Sequence, residues 1–205
     1  GPSIAARLAD PAAETPDADD PAFRGAHGDV FARPLESLNA ASAVAQAAGY
    51  TPLILGDAIE GEARECARVM AGIALGAQAH GAPLPTPCAL ISGGETTVTV
   101  RGGGRGGRNA EWALGFAVAM AMLPGGYPKD ILAIAGDTDG IDGVEDAAAA
   151  IVDETTPARA AAAGIDLAGR LADNDAYGAF APLDDLVVTG PTLTNVNDFR
   201  AILVD

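Results

Sequence analysis

Lysine is all but missing from this chain of 205 residues: Lys129 is the only one. A phosphate loop of the Gly-Lys-Ser/Thr type is thereby excluded, because Lys129 precedes an aspartate. Histidine and cysteine are equally scarce, at two each. His27 and His80 lie far apart, and neither is near a serine in a nucleophile-elbow context, which argues against a Ser-His-Asp triad. Cys66 and Cys88 make neither a disulfide framework nor a zinc site. Both are expected to be buried and reduced, which points to the cytoplasm. No run reaches the roughly 18 apolar residues that span a bilayer, and the first residues do not read as a signal peptide. Positive charge is thin overall: 12 basic residues face 28 acidic ones, for a net charge of -16. A general nucleic-acid binder needs a basic face, so that class is excluded and no membrane partner is expected either.

What the chain has is alanine, glycine and a regular alternation of elements. Hydrophobic residues make up 49% of it and aromatics only 4%, which suits close-packed helices on a sheet. The stretch 1–33 reads as a short helix followed by an acidic, proline-rich extended segment. A short strand is expected near 30–33, a helix over 35–48 and a strand over 51–55 that turns at Gly56-Asp57. A long helix over 60–80 follows, with Ala63, Cys66, Ala67, Met70, Ile73 and Ala74 at helical spacing. Strands are expected at 88–92, 96–100, 131–135, 186–189 and 199–204, with a helix from about Glu111 to Met122. Short helices are expected over 155–163 and 167–171, and a short helix or strand over 146–152. This alternation implies a layered α/β fold with a mixed, largely parallel sheet and helices packed on it. Three prolines at 83, 85 and 87 mark the candidate boundary between two parts.

Three strands run into loops of Gly, Thr, Asn and Asp: 92–96, 136–143 and 190–198. In an open sheet such loops gather on one edge and line a ligand crevice. The stretch 92–109 is the densest. Arg101, Arg105 and Arg108 sit in a glycine-rich loop before a helix, a combination of guanidiniums and backbone N–H groups suited to an anion. A surface hairpin with solvated arginines is the alternative. Gly102, Gly104 and Gly107 satisfy G-x-G-x-x-G, yet a run of Gly and Arg produces that match easily, and the acidic residue near the spacing that binds a ribose, Asp130, starts a strand instead of ending one. Asp137, Asp139 and Asp142 form an acidic, glycine-rich turn. It can supply Mg²⁺ with one or two carboxylates, or it can be turn and capping chemistry alone. Asn195, Asn197 and Asp198 present the same pair of alternatives.

The stretches ILGDAIEGEARECA, LISGGETTVTVRGGGRGGRNAEWAL, AGDTDGIDG, ADNDAY and VVTGPTLTNVNDFRAIL together resemble the C-terminal half of the type-2 glycerate kinases. That family also carries the label of hydroxypyruvate reductase in tartrate degradation. The resemblance implies ATP-dependent phosphorylation of D-glycerate to 2-phosphoglycerate with Mg²⁺, in a cleft between two α/β domains. It sets residues 1–85 as the end of the larger N-terminal domain and 86–205 as the C-terminal domain. It implies catalytic roles for Arg108 and Glu95. Substrate or nucleotide binding is expected at Ser92, Gly93, Gly94, Gly106, Gly107, Asn109, Thr192, Asn195 and Asn197, and metal binding at Asp137 and Asp139. The partners implied are glycerate, a nucleotide and the N-terminal half of the same protein, with a homodimer left open. The family's N-terminal glycine–lysine loop is not in this chain. An NAD(P)H-dependent hydroxypyruvate reductase and a non-catalytic anion-binding module are the alternatives.

Overall fold

The computed structural model describes residues 2–205. The chain forms two compact units, Gly1–Phe31 and Ala32–Asp205. The first holds helix α1 (Pro2–Leu8) and two single 3₁₀ turns. Each turn starts on a proline, and Asp10 or Asp20 accepts the N–H of the residue two ahead. None of these elements has a buried residue. The strand expected at 30–33 does not form.

The second unit opens with α2 (Pro34–Ala47), where Pro34 takes the first helical position and Glu36 accepts the N–H of Arg33. It continues with β1 (Thr51–Glu62), α3 (Ala63–His80), β2 (Cys88–Thr97) and α4 (Arg108–Ala121). Then come β3 (Ile131–Asp137), β4 (Ala149–Val152), α5 (Thr156–Ala162), α6 (Leu167–Ala172), α7 (Ala176–Phe180), β5 (Leu186–Val187) and β6 (Asp198–Val204). Gly81, at φ +64, closes α3 in the left-handed conformation that a β-carbon disfavours. Helix α7 has no counterpart in the expected elements.

Two expected turns are strand. β1 runs through Gly56-Asp57 with register shifts rather than ending there, and helix α3 starts only at Ala63. Gly93-Gly94 lies inside β2, which is one strand and not two. A β-carbon on Gly94 would stand 2.2 Å from the Ile59 nitrogen, so glycine is what lets β1 and β2 pair there. The chain from 98 to 107 is loop.

The six strands form one sheet in the order β1-β2-β6-β3-β4-β5. It is mixed, as expected, but only the β1–β2 pair is parallel; the other four pairings are antiparallel. The reason is the place of the last strand. The crossovers through α3 and α4 do leave β1, β2 and β3 running the same way. β6 then enters between β2 and β3 and opposes both. Because β1 and β2 pair across it, the proline-rich segment 81–87 connects two neighbouring strands of one sheet.

Helices cover the sheet unequally. On one face α2 sets Leu38 against Ala89 and Ile91. On the other lies the main core, with α4 at its centre. Ten residues of α4 are buried, among them Trp112 stacked on Phe116 at 5.3 Å. A helix buried on nearly all sides needs small side chains, which accounts for its alanines and Gly115. No helix of the described residues is long and apolar enough to cross a membrane.

Candidate active site

The strand directions put the ends of β2 and β3 and the start of β6 on one edge of the sheet. The loops after β2 and β3 and the loop before β6 therefore meet there, although 92–96, expected as one of the polar loops, is strand. Gly94, Asp198 and Asp137 are cross-strand neighbours, since Asp198 pairs with Gly94 on one side and with Asp137 on the other. Arg108, the first residue of α4, reaches this row. Its Nε donates to Asp198 Oδ1 at 2.7 Å and its Nη2 to Asp137 Oδ2 at 2.8 Å. Nη1 stands 3.7 Å from Glu95 Oε1. The two aspartate side chains are 0% and 4% exposed, whereas the arginine keeps 26% of its side chain open. Burial lowers the affinity of Arg108 for its proton. The bond and charge of Asp198, with the charges of Asp137 and Glu95, outweigh that and hold its pKa above the ordinary value.

Asp137 is short of counter-charge. Burial pushes its carboxyl up to about 6, against the pull of the Asp139 N–H and of Arg108; the charges of Asp139 and Asp198 add to the rise. Asp142 is buried more deeply and does something else. Its carboxylate accepts the N–H groups of Asn109 and Ala110 and the Asn109 side-chain amide. Gly107, the N-cap residue, supplies no side chain, so Asp142 caps α4 from another loop. Burial raises the Asp142 carboxyl, those three donors lower it, and the charge of Asp198 helps leave it above its ordinary value.

The glycine-rich loop is not the open anion nest that its sequence suggests. Asn174 Oδ1 accepts the N–H groups of Arg101 and Gly102, and Asp173 Oδ1 that of Gly103. The Asp173 carbonyl takes Gly104 N–H, and Asp175 Oδ1 takes that of Arg105. The loop's glycines exist for this contact: a β-carbon on Gly104 would lie 2.3 Å from Asp175 Cβ, and one on Gly107 2.3 Å from the Asp142 carboxyl. Arg105 turns away to Glu145 and lies over the Tyr177 ring at 4.5 Å. The N–H groups of Gly106, Gly107 and Arg108 make no hydrogen bond within the chain. Among the described residues, the loop N–H groups left unpaired are thus those of 106–108, beside a cleft of about 600 Å³ lined by Glu95, Thr97, Val98, Gly106, Gly107 and Arg108.

Of the residues expected in the site, Glu95, Gly106, Gly107, Arg108 and Asp137 come together. Ser92 does not: it is a core residue whose hydroxyl faces Met70 Sδ at 3.7 Å. Gly94 is a backbone position of the row itself, and Gly93 is the strand position before it. Asn109 is fully buried and ties Asp142 to Asp198. Thr192 holds Asp139 and Thr138 through their carbonyls, Asn195 caps the N–H of Asn197, and the Asn197 carbonyl accepts from Thr138. Thr192 and Asn197 thereby clamp the last loop to the loop after β3, and Asn195 braces that loop from within. Asp139 lies next to Asp137, with its own N–H on Asp137 and its Oδ1 on Ile141 N–H. Among the described residues no three His, Cys, Asp or Glu side chains make a metal-binding group.

One residue central to the site, Arg200, escaped the sequence reading, and a second, Asp198, was read only as a ligand or turn group of the last loop. Asp198 accepts from Arg108, Asn109, Thr96 N–H and Arg200 at once. Asp198 and Arg200 share period-two spacing with Ile202 and Val204, so charged groups fall on the apolar face of a strand. That was the available signal.

The MOFRL family matches residues 88–198. A relative from Agrobacterium vitis named "Putative hydroxypyruvate reductase" is 56% identical over 85% of this chain and 39% of its own length. The "D-glycerate 2-kinase" of Thermotoga maritima is 41% identical over 77% of this chain and 37% of its own. The crystal structure of the glycerate kinase of Thermotoga maritima superposes with a TM-score of 0.80 at 37% identity, over 86% of this chain and 42% of that one. The chain thus spans about two fifths of the length of these relatives. With more than half of its residues matched by the family, and with this likeness in sequence and fold, the chain belongs to the MOFRL family of the type-2 glycerate kinases.

Proposed function

We propose that this chain carries one wall of the active site of a glycerate 2-kinase, which moves the γ-phosphoryl group of ATP to the 2-hydroxyl of D-glycerate. The observation that carries this reading is Arg108, held by Asp137 and Asp198 at the meeting point of three loops, with unpaired N–H groups at 106–108 beside it. Phosphoryl transfer asks mainly for positioning and charge neutralisation, and a guanidinium beside free backbone donors offers both. In this reading Arg108 meets anionic oxygens of phosphate or glycerate, Gly106 and Gly107 donate their N–H groups, and Glu95 bounds the cleft on its exposed side.

Mg²⁺ fits only as a shared site. Asp137 and Asp139 supply two adjacent carboxylates, and a Mg²⁺ ion commonly takes one or two carboxylates with the rest from phosphate and water. Bound there, it would neutralise charge on the phosphates. Kinase activity places the remaining site residues on the part of the longer relatives that this chain does not span. The division at 85/86 rests on the prolines and on a family match that begins at residue 88, while within this chain β1 and β2 pair across it in one compact unit.

The reductase reading draws on the printed name of the Agrobacterium vitis relative. The loop chemistry speaks against it. A dinucleotide fingerprint needs its glycine backbone for a pyrophosphate, and here 173–175 occupies the N–H groups of Gly102 and Gly104. The two are separated by one comparison on an enzyme containing this segment. ADP release with D-glycerate and Mg²⁺–ATP supports the kinase. Loss of NAD(P)H absorbance with hydroxypyruvate, without ADP release, overturns it.

A further inference from the structure

Arg200 is 1% exposed, in the middle of β6. Packing alone does not put a guanidinium there, because a buried charge without partners is costly. Its Nη2 donates to Asp198 Oδ2 at 2.5 Å and to Thr96 Oγ1 at 3.0 Å. Its Nε and Nη1 have no partner within the chain. Arg108 and Asn109 use the other oxygen of the same carboxylate. Two guanidiniums therefore grip Asp198 from opposite sides, one facing the cleft and one facing the core.

The charges explain why this matters. Arg108 touches two buried carboxylates, and Glu95 approaches it from the rim. With those neighbours alone its positive charge would be cancelled, and an anion in the cleft would meet no net attraction. Arg200 supplies a second positive charge to the Asp198 carboxylate, so that Arg108 does not have to neutralise Asp137 and Asp198 alone. We propose that Arg200 is a positioning residue for the anion site: it holds and compensates Asp198 from behind, which fixes the Nε side of Arg108 and leaves that guanidinium able to attract a phosphate or carboxylate group. The proposal rests on Arg108 being the anion-binding group of the proposed kinase.

The test uses the 205-residue chain and inorganic phosphate, followed by NMR shifts of the Gly106 and Gly107 amides. R108Q should abolish the saturable shift. R200M should weaken phosphate binding about tenfold, within the coupling range of contacting residues. D198N/R200M should return binding to within about threefold of the parent. In that pair the introduced amide keeps its oxygen toward Arg108 and Asn109, and its NH₂ replaces the oxygen that accepted from Arg200 and from Thr96 N–H, a backbone bond that D198N and the double variant both lose. A merely structural role for Arg200 gives the opposite result, with the double variant weaker than either single one, and overturns the proposal. Thermal melts accompany each variant. Should R200M not fold, D198N and D198N/R200M are compared directly. Affinities within about threefold support action through Asp198, and a tenfold gap overturns it. If R108Q binds phosphate as the parent does, the anion role of Arg108 and this inference fall together. If R108Q loses binding and R200M keeps it, only the role of Arg200 falls.

Discussion

Arg108 takes its direction from two carboxylates on neighbouring strands, so its guanidinium is set before any ligand arrives. Preorganised charge of this kind is the largest lever in phosphoryl transfer. In an active enzyme carrying this segment, R108A should lower kcat/KM by at least about 10²-fold, or about 2.7 kcal/mol. R108K should recover little, because a lysine cannot bridge Asp198 and Asp137 with a planar fork. R105A is the control and should cost less than about tenfold, since that side chain is 63% exposed and pairs with Glu145 away from the cleft. Near-normal steady-state kinetics in a folded R108A would remove Arg108 from the mechanism. Asp142 acts at the same scale through the helix. D142A removes the one acceptor shared by three buried donors at the start of α4. An ordinary N-cap is worth about 1 kcal/mol, and unsatisfied buried donors add to that. The melting temperature should fall by about 5 °C or more. An unchanged melt would show that α4 needs no cap from this loop.

At the scale of elements, the glycine-rich loop and the segment 173–175 form one unit. Five consecutive N–H groups of the loop end on three residues of the segment. Asn174 also donates to the buried Glu111, which Arg64 holds from α3. N174A should therefore loosen the loop and cost about 1–3 kcal/mol in urea unfolding, from stranded donors. Asp175 gives this unit a pH signature. Burial raises its carboxyl, but the N–H of Arg105, the Arg170 guanidinium and the N–H of Gly178 outweigh it and hold the pKa below the ordinary 3.8. A carboxyl depressed in the folded state adds stability above its unfolded pKa and loses it as pH falls through the folded value. The stability gap between the parent and D175N should be constant from about pH 5 to 8 and close only below about 3.8. A gap that closes near neutral pH would assign it to another group. These contacts also mark what the sequence could tell. Helical spacing set α2, α3 and α5 to within a few residues, and the loops after β2 and β3 were legible as one edge because strand directions follow from the crossovers. The insertion of β6 between β2 and β3 was not, since nothing local specifies which edge a last strand joins. Gly102 and Gly104 looked like a ligand's nest because glycine serves a close approach of any kind, and here the approaching group is residues 173–175. Asp198 stood between a ligand group and turn chemistry and Arg200 was passed over, although their phase with Ile202 put both on the buried face.

At the scale of the whole chain the decisive quantity is charge. The cleft offers one guanidinium, already shared with two aspartates, while Glu60, Glu95 and Glu111 line the same walls. Lys129 sits immediately before β3, at the strand's opposite end from Asp137, where its carbonyl accepts the Gln78 amide. A triphosphate carries several negative charges, and kinases meet them with arginine, lysine and metal together. The chain spans 37% to 45% of the length of its glycerate kinase and hydroxypyruvate reductase relatives named by the strongest matches, so further cationic groups have ample sequence to come from. By itself, then, the 205-residue chain should bind Mg²⁺–ATP weakly and turn over D-glycerate at least about 10³-fold more slowly than the 1–100 s⁻¹ usual for kinases. A coupled ADP assay on the purified chain measures this. Adding Mg²⁺ alone should not rescue it, because a metal held by the proposed pair Asp137 and Asp139 would not supply the further cations needed around the phosphates. Turnover near the usual kinase range would mean that Arg108, the N–H groups of 106–108 and the two aspartates are a complete site, and the charge argument would be wrong.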